Sequence, residues 1–212
     1  MSGVQGGAFP NFTICQPGLM WLMSYRLATH THLAPFRTNL IELGARFKLD
    51  RMRVHVRDPR QALISWFHFF PSVIGTLDPS QKLHYDVPDD YLEWPQARQL
   101  DWQISHFLPW FIDWIVGWLD APEQPWSGTK ILYTTFEEMV ADTRGFFDRI
   151  LAFYDIDRAG FIYPDKRRVH GDRNFRRGDV DEWRTTLSPE QMERASSAIP
   201  ERLFDRFGWP RR

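Results

Sequence analysis

The chain has 212 residues, 43% hydrophobic and 25% charged, with a formal net charge of -1. This is the balance of a folded globular protein and excludes a disordered one, and a charge so close to zero supplies no global field to draw nucleic acid or an anionic membrane. Any anion site must therefore be local. Cys15 is the single cysteine, so an internal disulfide is impossible. That fits a reducing compartment, and the chain reads as a soluble, cytoplasmic protein. Only Lys48, Lys82, Lys130 and Lys166 are lysines among the 26 basic residues.

Residues 1–25 carry Gly, Pro, Asn and Gln without periodicity and read as an irregular N-terminal segment. "FTICQPGLMWLMSY" is apolar, but no basic residue precedes it and Pro17-Gly18 interrupts it, so it makes a poor signal peptide. "RLATHTHL" (26–33) alternates and stops before Pro35, which predicts a first strand. "RMRVHV" (51–56) predicts a second, and Asp58-Pro59 behind it predicts a helix start, with Asp as N-cap and Pro at the first helical position. That helix is expected to run through "WFHFF" and end before Pro71, and residues 72–96 to form a long surface loop.

In 97–119, Leu100, Ile104, Phe107, Phe111, Ile115 and Trp118 recur at helical spacing, with Pro109 expected to kink or restart the helix. The run "FLPWFIDWIVGWL" within it is too short to span a bilayer and contains Pro109 and Asp113. "KILYTTF" (130–136) predicts a third strand, and Asp142 a cap for a helix through Phe146, Phe147, Ile150, Leu151 and Tyr154. Strands alternating with helices predict an α/β fold with a mostly parallel sheet, in which ligands bind beyond the carboxyl ends of the strands.

Arg57 stands at such an end, in "RDPRQALIS". Asp58 and Ser65 are two helical turns apart and share a face, which puts Ser65 roughly 10 Å beyond the cap. A guanidinium and a hydroxyl so placed suit a phosphate. The competing reading is an Arg57 ion pair with an acidic residue and a Ser65 bonded into its own helix. Farther on, Lys166, Arg167, Arg168, Arg173, Arg176 and Arg177 form a basic run closed by Gly178. Phe175-Arg176-Arg177-Gly178 could wrap a nucleotide phosphate with side-chain donors and backbone N–H groups. A nucleic-acid patch is the weaker alternative, because Phe175 is the only aromatic inside the run.

Taken together these segments resemble the PAPS-dependent sulfotransferases. "VHVRDPRQALISWFHFF" is similar to their 3'-phosphate-binding segment, where an Arg and a Ser eight apart hold the cofactor's 3'-phosphate. "FRRGDVDEW" resembles the late loop that closes over the same phosphate, with Trp183 five residues after Gly178. "KILYTTFEEMVADTRGFFDRILAFYDI" resembles the segment whose tyrosine contacts adenine, placing Tyr133 there, and "THTHLAP" resembles the strand end that bears the catalytic histidine, placing His32 there.

The resemblance implies a three-layer α/β domain over 26–212, with a mostly parallel central sheet flanked by helices, of the P-loop nucleotide-hydrolase-like kind. It implies PAPS as sulfuryl donor, PAP as product and a small-molecule hydroxyl or amine as acceptor. Cofactor contacts fall to Arg57, Ser65, Tyr133, Phe175, Arg176, Arg177 and Gly178. A neutral imidazole with a pKa of about 6.5 suits His32 as the base that deprotonates the acceptor. His30 shares its strand face and replaces the family's usual lysine. A His-x-His zinc half-site is the alternative for that pair, but no Cys or acidic partner stands at ligand spacing.

The sequence also departs from the family pattern. No lysine precedes Lys48, so the segment resembling "PKSGTTW", which holds the 5'-phosphosulfate, is missing. Asp181, Arg184 and Thr134 stand where the family has Gly, Lys and Glu. The expectation is an N-terminally incomplete sulfotransferase, or a catalytically impaired member that still binds PAP or PAPS through the 3'-phosphate site. Trp102, Phe107, Trp110 and Trp114 line either an acceptor pocket or the core.

Overall fold

The computed structural model describes residues 13–14, 20, 24, 31–75, 86–124, 128–164 and 178–211. Residue contacts group the chain into two compact units, one of Met1–Val54 with Asp113–Leu132, the other of His55–Ile112 with Tyr133–Arg212. The elements alternate as an α/β chain. In order they are α1 (Arg37–Leu40), β1 (Arg51–Val56), α2 (Pro59–Ile74), α3 (Gln96–Asp120), β2 (Lys130–Thr135), α4 (Phe136–Ala141), α5 (Thr143–Phe153), α6 (Trp183–Thr186), α7 (Pro189–Ser197) and α8 (Glu201–Phe207).

The two strands pair in parallel as a two-stranded sheet among the described residues. The Lys130 N–H donates to the Asp50 carbonyl at 2.7 Å, and farther along both strands His55 Nδ1 meets Thr134 Oγ1 at 2.9 Å, so the two strands run the same way. Val54, Val56, Thr134 and Thr135 are buried, as strands covered on both faces require. The second and third predicted strands therefore form.

Of the first predicted strand only the end falls on described residues, and it is not a strand. Residues 31–33 are irregular, and 26–30 lie outside the described residues. The reason lies in where the backbone acceptors go. The Leu33 carbonyl takes two tryptophan N–H groups and the Ala34 carbonyl takes the Asn39 amide, so side chains occupy the acceptors a ladder would use.

One helix boundary also departs from expectation. α2 continues through Pro71 to Ile74. Phe70 and Ile74 are buried in one cluster with Val87 and Tyr91, and that burial outweighs the single bond proline removes. The same cluster makes 86–96 more than a surface loop: Val87 and Tyr91 are core, and a 3-10 turn covers Tyr91–Glu93. α3 is a single helix with Pro109 inside it, and its most buried face passes through Leu108 and Ile112 rather than Phe107 and Phe111. The pitch accounts for this, since spacings of four from Leu100 lead to Ile104, Leu108 and Ile112.

Caps are placed as the residue types dictate. Asp58 accepts the Arg60 N–H at the start of α2, and Asp142 accepts the Gly145 N–H at the start of α5. Thr135 with Glu138 and Ser188 with Gln191 form reciprocal capping boxes on α4 and α7. Among the described residues, no helix is long and apolar enough to cross a membrane.

Candidate functional site

β1 ends at Val56 and α2 begins at Pro59, leaving Arg57 and Asp58 as the junction. Asp58 is nearly fully buried. Besides capping the helix, it accepts from Arg60 Nε at 3.0 Å and pairs with Arg60 Nη2 at 2.7 Å. Its own N–H donates to Glu137 Oε1 at 3.0 Å, and Glu137 Oε2 accepts from Trp209 Nε1 at 3.2 Å.

Arg60 is wholly buried. Its guanidinium lies 3.9 Å from the Trp183 ring centroid, and it donates further to Ser196 Oγ and to the Pro210 and Arg211 carbonyls. The buried ion pair that the sequence placed at this strand end thus belongs to Arg60 and Asp58. A fully satisfied arginine of this kind braces the helix start, and sequence reading did not single it out.

Arg57 is half-buried and sits differently. Its guanidinium lies 4.0 Å from the Phe136 ring centroid, at the first residue of α4. Nη2 donates to the Asp179 carbonyl at 2.6 Å. Gly178 precedes that carbonyl with φ of 77°, a left-handed conformation that glycine adopts without strain. The Arg57 and Gly178 segments, far apart in sequence, thus meet at the end of β1. Trp183 anchors the chain beyond Gly178, since its N–H donates to Gln61 Oε1 at 3.3 Å and its ring is fully buried against Arg60.

Ser65 is exposed on α2. One turn on, His68 Nε2 stands 3.8 Å from Glu182 Oε1, so this face of α2 looks toward the segment after Gly178. Tyr133 is half-buried within β2, edge-on to Phe207 with ring centroids 6.4 Å apart and with the Arg206 guanidinium 5.2 Å away. Its carbonyl accepts a hydrogen bond from Arg149, which also pairs with Glu138 at 2.9 Å. Phe175, Arg176 and Arg177 lie outside the described residues, as do Lys166, Arg167, Arg168 and Arg173.

His32 belongs to the other unit, exposed in the irregular stretch before α1. His30 lies outside the described residues. Of the four aromatics with two readings, Trp102 and Phe107 stand in ring stacks, on His106 and Phe70 and on Trp66 and Phe111 respectively. Trp110 is exposed, and Trp114 donates its indole N–H to the Leu33 carbonyl.

A strand-end arginine is thus bonded beside a left-handed glycine, and an exposed hydroxyl stands two turns along the helix that follows it. A family model described as "Sulfotransferase domain" matches residues 21–161, well over half of the chain. The protein belongs to the sulfotransferase domain family. The matched span of this sulfotransferase-family chain includes His30, His32, Arg57, Ser65 and Tyr133, and it ends before Phe175. The reaction of the family is sulfuryl transfer. Neither a curated protein nor a solved structure matches the chain.

Sequence reading missed Phe136 beneath Arg57, although a ring opening the helix after β2 was visible in "TTFEE". It also missed the role of the Asp179 carbonyl, which no residue-type signal marks.

Proposed function

We propose that the chain transfers a sulfuryl group from PAPS to a hydroxyl or amine of a small-molecule acceptor, releasing PAP. The supporting observation is the bond from Arg57 to Asp179, because it joins the two segments that resemble the halves of a 3'-phosphate site. In this reading Arg57, Ser65, Arg176 and Arg177 bind the 3'-phosphate, with the Gly178 backbone beside them. Phe175 and Tyr133 contact the nucleoside. The clamp supplies affinity and orientation away from the reacting bond.

His32 takes the proton of the acceptor as the acceptor's oxygen or nitrogen bonds to sulfur. The sulfur–oxygen bond to the 5'-phosphate breaks, and PAP leaves with that electron pair. A protonated His30 would offset the charge developing on the leaving phosphate, as a pH-dependent substitute for lysine. The setting is a three-layer, P-loop-like α/β domain over 26–212, in the cytoplasm.

A second reading, a PAP-binding protein with little turnover, draws on the lack of any lysine before Lys48. Calorimetry with PAP and a turnover assay with labelled PAPS separate the two. Binding with turnover supports the enzyme, binding without turnover supports the second reading, and absence of PAP binding overturns both.

A further inference from the structure

The backbone just after His32 is held by side chains from α3, and the geometry points to Trp114 and Trp118 as positioning residues for the His32 imidazole. This rests on the reading of His32 as the base.

Residues 31–36 are neither helix nor strand; the Phe36 carbonyl takes the Leu40 N–H, whereas those of Leu33 and Ala34 take side-chain donors. The Leu33 carbonyl accepts from Trp114 Nε1 at 2.8 Å and from Trp118 Nε1 at 3.0 Å. A carbonyl oxygen has two lone pairs, and two donors converging on it fix the direction of the peptide that comes after Leu33. The next carbonyl, of Ala34, accepts from Asn39 Nδ2 at 2.8 Å, and Asn39 Oδ1 in turn accepts the Ile14 N–H at 3.1 Å. Pro35 fills the notch left by Gly117, where an added Cβ would stand 2.5 Å from Pro35 Cγ.

Trp114, Gly117 and Trp118 are spaced i, i+3 and i+4, so one face of α3 holds Leu33 and Pro35, on either side of Ala34. Leu33, Ala34, Asn39 and Trp118 are buried, whereas His32 is exposed. The result is a buried, hydrogen-bonded support for the backbone next to an exposed histidine. A base must meet this demand, because small displacements of a reacting group cost large factors in rate. A tryptophan that only fills core needs its rings. Two indole N–H groups converging on the carbonyl beside His32 add a directional constraint that ring packing does not.

Trp114→Phe and Trp118→Phe keep the rings and remove the N–H donors. The first readout is the His32 ring resonance of the isotope-labelled full chain, assigned by its loss in His32→Gln. Wild type should give one His32 environment. Trp114→Phe, at a half-buried site that tolerates the change, should shift the resonance or split it into several environments while the methyl spectrum stays folded. An unchanged His32 resonance in a folded Trp114→Phe overturns the inference, and Trp118→Phe repeats the test from the second donor.

The second readout is turnover with labelled PAPS. Trp114→Phe should lower kcat roughly tenfold or more, with the KM for PAPS held within about twofold. A kcat unchanged from wild type, or a parallel loss of PAP affinity, counts against positioning. Full turnover in His32→Gln would remove the base reading and leave the Trp114 effect on the His32 resonance standing, so the two failures are distinguishable.

Discussion

Arg57 donates from Nη2 to the main-chain carbonyl of Asp179 at 2.6 Å, across 122 residues of sequence. The same guanidinium lies over Phe136, so β1, the start of α4 and the turn at Gly178 converge on one side chain. A phosphate arriving here would find a cation oriented by a ring and held by a carbonyl that a stronger acceptor can displace. Arg57→Ala should therefore weaken PAP binding by about ten- to hundredfold, the loss expected for a hydrogen bond to a charged group. Arg57→Lys should recover only part of it, since an ammonium lacks the planar fork. Calorimetry with PAP checks both, and undiminished affinity in Arg57→Ala would sink the phosphate assignment.

Ser65 offers the cleaner control. It is exposed on α2, so Ser65→Ala should leave stability within about 0.5 kcal/mol of wild type. PAP affinity should nonetheless fall several-fold. A urea titration beside the calorimetry reads the two effects separately, and equal PAP affinity would remove Ser65 from the site.

The Asp58–Arg60 pair makes a prediction about stability alone. Asp58→Ala strips the cap of α2 and leaves a wholly buried guanidinium without its carboxylate. The expected cost is about 3–5 kcal/mol. Replacing Arg60 by Met in the same chain should recover much of it, because no buried charge then remains. Denaturant midpoints of the single and double variants test the coupling.

Tyr91 makes the pH dependence legible. Burial pushes its phenol above the ordinary tyrosine range, while the hydrogen bond with Gln103 pulls the other way. The unfolded chain ionises first, so stability is intact below about pH 10 and is lost as pH rises from there through the raised folded value. Tyr91→Phe should remove this tyrosine's share of the alkaline loss. At neutral pH the same change should cost about 1–3 kcal/mol, because Gln103 Nε2 loses the Tyr91 oxygen at 3.0 Å and its Oε1 already lacks a partner. Urea titrations at neutral and alkaline pH resolve the two effects.

Much of this architecture was legible in local pattern. The extent of β1 comes from alternation in "RMRVHV", and the starts of α2 and α5 come from Asp58-Pro59 and Asp142, because a cap is chosen within one turn of chain. The end of α2 was not legible. Whether Pro71 stops a helix depends on what Phe70 and Ile74 bury against, and Val87 and Tyr91 come from a segment that carries no such label. "RLATHTHL" misled at its end, residues 31–33, for a related reason. Alternation describes side chains, whereas a strand needs neighbours for its carbonyls, and at Leu33 and Ala34 those neighbours are Trp114, Trp118 and Asn39.

The candidate site divides along the same line. Residue type and spacing were enough to mark Arg57, Ser65 and Gly178, since a guanidinium, a hydroxyl and a left-handed glycine announce their chemistry one at a time. The sequence by itself thus determined the family and the parallel α/β order of its strands. Tertiary structure alone decided that Arg60, not Arg57, is consumed in the buried ion pair with Asp58, and that Arg57 turns to the Asp179 carbonyl. Two arginines three residues apart are equivalent on paper. Burial against Trp183 and Phe204 separates them, because a charge sealed from water must be paired in full, while one only half-buried is left to exchange its partner.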